Sequence, residues 1–577
     1  MSGRARLWAI VAASALALAL PAAAFAHAAL LHTVPSASGT VNTSPPDVRL
    51  TYSEAVEPRF AIVSVTDRGG HLVTDGPPRR SATDADTLVV PLKHLEEGWY
   101  LVYWRVISVD GHPVRGAFTF AVGPNPGPAP QFVIPSISET AATPRLLIAR
   151  WTVFLSLFAA VGLFALRIGI ARPVVRRVPG TSLRPVSIAF WISAAVALIA
   201  IPVYVVLATS EFALRSAFDL GALTPLLRAS AFGRGYLDLE LCVALFVLTA
   251  GIALYVDRPK RTTRSVAELL ALVGATMAAA ASLLIPGAAG HAAQTAPRAL
   301  ALLLDGTHLA AGALWLGGLV GLLVVWQTLP SALRMAGLSV VVPRFSNVAF
   351  VSVLALLASG IGASILHLPT ISSLWTTSYG QAIVVKVVLL GVAMLLGAVN
   401  LLVTRPRLIA AERDPSLAAE AAGLLRRLVG VEVLIVAAAL FAAAILSSIA
   451  PPSKALAAVG SAAAKVGPGT VTRVVQQGDY TMRFTFTPNR AAVPNTFQVK
   501  IAKNGRPVRN ADVTLTFAML DMEMGNQEYR LEETSPGVYT RSSSPALVMV
   551  GHWGLTFNVT PPGGNPFSVV LVDHATG

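Results

Sequence analysis

The chain has 577 residues, 54% of them hydrophobic and only 13% charged, so it is too long for one ordinary domain and too apolar for a soluble protein. Its formal net charge of +14 does not point to nucleic acid, because many Lys and Arg residues sit in short loops between apolar runs rather than in one soluble patch. The single cysteine, Cys242, lies inside an apolar run; this excludes disulfides and thiolate clusters within one chain and leaves N, O and thioether groups as metal donors.

Residues 1–26 read as a secretory signal peptide. Arg4 and Arg6 precede the apolar run from Leu7 to Leu20, and a small-residue stretch ends in Ala24-Phe25-Ala26. Cleavage after Ala26 makes His27 the new N-terminus, where an amine and an imidazole on one residue form a chelating pair. Short alternating segments follow over 27–123: Val48 to Tyr52, Phe60 to Val65, Tyr100 to Val106 and Ala117 to Val122, separated by Gly, Pro and Asp turns. This is the pattern of a small antiparallel sandwich or barrel. Between the last two segments, Asp110 and His112 stand two residues apart, so they can point to one side and supply an oxygen and a nitrogen. With His27 they complete an N3O set, which suits Cu(II).

His27-Ala28, the LTYSE run from Leu50 to Glu54 and the run GWYLVYWRVISVDGHPVRGAFTFAV from Gly98 to Val122 resemble the CopC family of copper-binding proteins. The resemblance implies an Ig-like β-sandwich in which His27, Asp110 and His112 bind Cu(II). Some family members also hold Cu(I) in a methionine cluster, but no methionine occurs between His27 and Pro144. A carboxylate at the fourth copper position occupies the place that oxygen needs, so storage or hand-over is expected here rather than an enzyme.

A Pro- and Gly-rich linker, 124–145, leads to a transmembrane domain over 146–450. Eight apolar spans are read near 146–168, 186–208, 236–256, 265–286, 299–326, 346–366, 381–403 and 428–450. With the first domain outside, the inner loops collect Arg172, Arg176, Arg177, Arg258, Lys260, Arg261, Arg334, Arg344, Arg405, Arg426 and Arg427, among others. The outer loops hold only Arg215, Arg228, Arg234 and Arg298. The signal peptide and the positive-inside bias therefore agree on one topology, in a bacterial inner membrane with both termini on the extracytoplasmic side. Ionisable groups in a membrane are costly and mark functional sites by default. His291 in an outer loop, Asp305 and His308 in the fifth span and His367 at the outer end of the sixth are candidates for a copper pathway. Asp305 and His308, three apart on one helix, are expected to pair; Glu240 and Lys386 are expected to serve as counter-ions.

The runs HLAAGALWLGGL, from His308 to Leu319, and YGQAIVVKVVLLGVAMLLGAVN, from Tyr379 to Asn400, resemble the CopD family. That resemblance implies a part in copper uptake or resistance. After a second linker, 451–470, alternating segments over 471–577 read as a C-terminal β-sandwich. Met519, Met522 and Met524 lie close together, with Met549 and His552 further on; thioethers with one imidazole suit Cu(I). The run from Thr516 to Gly525, Pro536-Gly537-Val538-Tyr539 and Gly551-His552-Trp553 resemble YtkA-like domains.

The whole therefore reads as a multidomain membrane protein, a CopC–CopD fusion with a YtkA-like domain. Expected partners are copper ions, the lipid bilayer and other periplasmic copper chaperones, and no nucleic acid. Copper binding outside and transport across the membrane, in the import direction, is the first expectation. The rival is a protein that buffers or chaperones copper without transporting it, although eight spans exceed what an anchor needs.

Overall fold

The structure, a computed structural model, describes residues 30–37, 39–53, 55–107, 113–127, 143–213, 227, 231–295, 297–410, 415–449, 451–452, 464–521, 526–542 and 547–576. The expected signal peptide, His27, Asp110, His112, Met522 and Met524 lie outside the described residues. The chain divides into two compact units, one holding the long helices and the other holding both β-rich regions.

The N-terminal β-region contains β1 (Leu30–Val34), β2 (Thr40–Val41), β3 (Asp47–Tyr52), β4 (Ile62–Thr66), β5 (Arg79–Arg80), β6 (Thr87–Pro91), β7 (Gly98–Ile107) and β8 (Pro113–Val122). Two sheets form, in the orders β1-β3-β6-β5 and β2-β8-β7-β4. Alternation along β3 turns Val48, Leu50 and Tyr52 inward, where they share a core with Trp104, Phe118 and Phe120 from the facing sheet. This is the expected β-sandwich. Phe60 does not belong to a strand as the sequence pattern suggests; it ends a 3₁₀ turn, Pro58–Phe60, set by the fixed φ and missing N–H of Pro58.

Among the described residues, eight helices are long and apolar enough to cross a membrane. They are α1 (Pro144–Ala165), α2 (Arg184–Ala213), α3 (Ala231–Val256), α4 (Val266–Ala288), α5 (Arg298–Thr328), α6 (Ser331–His367), α7 (Ser378–Val399) and α8 (Pro415–Leu446). Their ends carry ordinary helix chemistry: Thr143 caps α1 ahead of Pro144, and Ser265 with Glu268 forms a reciprocal capping box on α4. Two helices start earlier than the sequence reading set them, α6 at Ser331 and α8 at Pro415. Arg334 and Arg426, expected in loops, are thus on helices, where both guanidinium groups lie over the Trp326 ring at 4.4 and 4.6 Å. A helix continues past its apolar stretch when its charged side chains find partners at the end of the bundle.

Helices α1 and α5 meet backbone to backbone. A Cβ on Gly317 would lie 2.5 Å from the Gly162 Cα, so each position admits glycine alone without displacement. At the end of α1 a π-helical turn, Leu166–Ile170, carries Arg167. Arg167 Nη1 and Arg172 Nε donate to the two oxygens of Asp257, at 2.6 and 2.9 Å, and all three side chains are buried. The bidentate cluster ties the end of α1 to the end of α3.

The C-terminal β-region also builds two sheets. One has the order β10 (Val471–Gln477), β11 (Tyr480–Thr487), β12 (Thr496–Lys503), β17 (Val538–Arg541), β16 (Glu532–Ser535), with β13 (Arg506–Pro507) on β12. The other has β15 (Asn526–Arg530), β14 (Asp512–Met519), β18 (Gly551–Thr560), β19 (Phe567–Ala575), β9 (Ala464–Val466). Phe484, Phe486, Phe497, Phe517 and Phe557 fill the space between them. The two sandwiches belong to one unit. The Ala117 N–H donates to the Val548 carbonyl at 2.9 Å, and Leu101, Ala117 and Ala492 form a small shared cluster.

Candidate metal centre

The residues expected to take metal fall in three places. At the N-terminal sandwich, the segment bearing Asp110 and His112 joins β7 to β8, whose last described pair is Ile107 with Pro113. Leu30, three residues after His27, pairs with Tyr52, and the Tyr52 ring meets Trp104 edge to face at 5.6 Å. Trp104 stands three residues before Ile107. The start of β1 and the end of β7 therefore belong to the same end of the sandwich. Burial pushes the Tyr52 hydroxyl well above its ordinary pKa, so it stays neutral beneath this end.

In the bundle, His308 does not pair with Asp305 as the spacing suggests. Its Nδ1 lies 3.0 Å from Ser359 Oγ on α6, and its Nε2 lies 3.1 Å from Lys386 Nζ on α7. Ser359 spends its own proton on the Ala355 carbonyl, at 2.6 Å, and so accepts from His308 Nδ1–H. That leaves the Nε2 lone pair facing the lysine ammonium, which donates to it. Three helices thus converge on one imidazole. Asp305 instead reaches across to α4, where a Cβ on Gly287 would collide with Oδ2. Lys386 Nζ is thus held by the His308 imidazole, and it makes no ion pair with a carboxylate among the described residues.

His367, at the end of α6, donates Nδ1–H to the Ala363 carbonyl at 2.8 Å. This fixes its tautomer, and Nε2 faces Thr295 Oγ1 at 3.2 Å; the ring stacks on Tyr379. His291 opens a short helix, His291–Gln294, and its side chain lies outside the described residues. Glu240 makes no ion pair among the described residues, and its Oε2 is buried without a partner, contrary to the counter-ion reading.

At the C-terminal sandwich, Met519 and Met549 are buried in the apolar core, at 3% and 9% exposure. His552 is exposed and is held by Asp521: the backbone N–H donates to Oδ2 at 2.8 Å and Nδ1 to Oδ1 at 3.1 Å. The sequence reading missed the partner of His552. His574 stands directly opposite it on β19, with ring centroids 4.7 Å apart and nearly parallel. The only signal for this pair is strand register, which the sequence does not print. A carboxylate that orients one imidazole beside a second is an arrangement common around metal ligands. Among the described residues, however, no three His, Cys, Asp or Glu side chains are grouped to hold an ion.

Comparisons with known proteins join these observations. Family models match at 30–123 (CopC domain), 339–446 (Copper resistance protein D) and 475–558 (YtkA-like). The chain is a CopC–CopD fusion with a YtkA-like domain. It is similar along nearly its whole length to the copper transport protein CutJ of Bacillus subtilis (strain 168), with 25% identity over 92% of this chain and 93% of that protein. Over the CopC domain it is 38% identical to protein YobA of Escherichia coli (strain K12), across 17% of this chain and 80% of that one. The crystal structure of CopC from Methylosinus trichosporium OB3b is 34% identical, covers 18% of this chain and 100% of its own, and has a TM-score of 0.16. The fusion therefore belongs with copper-resistance and copper-transport proteins, and its work lies in copper handling. The CopD match, at 339–446, covers most of α6, which supplies Ser359, and all of α7, which supplies Lys386, and of α8; His308 on α5 lies outside it.

Proposed function

We propose that this protein captures copper outside the cell's inner membrane and moves it inward through the helical bundle. The N-terminal sandwich takes Cu(II) with the His27 amine and imidazole, Asp110 and His112. The bundle passes copper by way of His308 and His367, with Asp305 and His291 at the outer approach. The C-terminal sandwich assists, with His552 and the methionine-bearing segment 519–524 as its site for Cu(I). Both sandwiches face the extracytoplasmic side.

The observation that carries this reading is the convergence of His308, Ser359 and Lys386 from three helices in the middle of an apolar bundle. A membrane anchor has no use for such a cluster, and holding it there costs free energy that packing alone would not spend. Copper accumulation in cells lacking the protein tests the reading under copper limitation. Wild type should restore it and a folded His308→Ala variant should not; equal cellular copper in every strain, with copper sensitivity still altered, would favour buffering. At the capture end, His112→Ala should weaken Cu(II) binding by at least about a hundredfold, since a lost ligand is worth more than the second-shell partners whose loss costs ten- to a hundredfold. Titration of the correctly cleaved chain with Cu(II) checks this.

A further inference from the structure

Below His308, the same bundle holds a second buried acid that the copper reading leaves unused. Glu432 on α8 is 2% exposed. Trp315 Nε1 on α5 donates to its Oε1 at 3.0 Å, and Asn400 Nδ2, directly after α7, approaches Oε2 at 3.4 Å. Both donors are neutral. Glu432 forms no ion pair among the described residues: on the neighbouring helices, Arg150 of α1 bonds Tyr204 and Ser448, Lys386 of α7 and Asp305 of α5 belong to the His308 cluster, and Arg405 beyond α7 reaches Asn347. Trp315 is two turns from His308 along α5, on the same face, so the acid lies about two turns along the bundle from the histidine cluster.

Two further polar atoms here are buried and unpartnered among the described residues, Asn400 Oδ1 and Thr404 Oγ1. They begin and end a π-helical turn, Asn400–Thr404, and such turns recur at functional sites. An acceptor without a donor beside a carboxylate has a simple use. While Glu432 is ionised, Asn400 donates through Nδ2. Once a proton adds to Oε2, rotation of the amide presents Oδ1 to accept from the new O–H. The site has a hydrogen bond ready for either form of the acid.

We propose that Glu432 and Asn400 form a proton-binding site, and that proton exchange there accompanies copper movement. An all-oxygen donor set is hard, which favours a proton over Cu(I) as its occupant. The coupling to copper rests on the transport reading above; the proton site itself does not.

The test uses the full chain in lipid. Infrared difference spectra between acid and alkaline buffer should show the C=O stretch of a buried carboxyl that titrates in wild type and is missing from Glu432→Gln. In Asn400→Leu the band should remain and move to higher frequency, because the acid O–H loses its acceptor, a shift that a purely structural asparagine would not produce. No titrating band in wild type, or the same band in Glu432→Gln, overturns the site. In liposomes loaded with a pH dye, copper entry should follow an imposed pH gradient in wild type. Glu432→Gln should lose that dependence and keep copper–copper exchange. Copper entry indifferent to the gradient in wild type overturns the coupling and leaves transport standing. A titrating Glu432 with no copper entry leaves the proton site standing and removes the transport reading.

Discussion

Two carboxylates are buried almost equally in this bundle and are treated in opposite ways. Asp257 is clamped between Arg167 and Arg172, with a guanidinium on each oxygen. Glu432 has only an indole and an amide, and the amide's own Oδ1 is buried without a partner among the described residues. A charge neutralised on both sides has nothing to gain by changing its protonation, and its partners hold two helix ends in register. A carboxylate met only by neutral donors can gain and lose a proton with little rearrangement. The bundle thus separates structural electrostatics at one end from titratable chemistry in its middle.

The contrast can be broken most severely at Asp257. Asp257→Ala leaves two guanidinium groups buried without a counter-charge and should cost about 3–5 kcal/mol, seen as loss of monodisperse protein after extraction. Glu432→Gln should leave that yield near wild type, and a yield as poor as that of Asp257→Ala would make the two acids alike. Next in size is Gly317→Leu, which must push α5 off Gly162 of α1 and should lower the unfolding midpoint in detergent by several degrees. A smaller effect is expected at Lys386. Replacing it with Met frees the Nε2 lone pair of His308 from the ammonium and should tighten copper binding in the bundle by about tenfold, near 1.4 kcal/mol. The measurement is copper titration in a His112→Ala background, which silences the N-terminal site.

The smallest effect belongs to the C-terminal sandwich. Asp573 is fully buried, and its Oδ1 accepts from Asn489 at 2.8 Å while its Oδ2 has no partner among the described residues. Burial raises its pKa, with the Asn489 hydrogen bond opposing. A raised acid contributes stability at pH values below the ordinary carboxylate range and loses that contribution as pH rises toward its folded value. Asp573→Asn should therefore raise the unfolding midpoint at neutral pH and flatten its decline above the carboxylate range; a fall at neutral pH would contradict the sign.

The architecture was legible because its patterns are long. Spans of about 20 apolar residues and period-two alternation survive any uncertainty about neighbours. The starts of α6 and α8 were not, because the charged stretches before their apolar runs are helical only through partners such as Trp326. Lone residues were legible by type and illegible by pairing. His308 stood out as a polar residue in a span, yet local spacing pointed to Asp305, whereas its partners come from residues 51 and 78 positions away. Glu432 carries the same intramembrane signal, but its meaning depends on Trp315 and Asn400 from elsewhere in the bundle. His574 is tied to His552 only by strand register.

The central claim is that copper crosses the membrane through the bundle, and copper entry into liposomes containing the purified full chain tests it most directly. The account predicts saturable entry in wild type that is lost in a correctly folded His308→Ala variant with its Cu(II) capture intact. Liposomes that bind copper at their surface yet admit none, in wild type as in the variant, would contradict it.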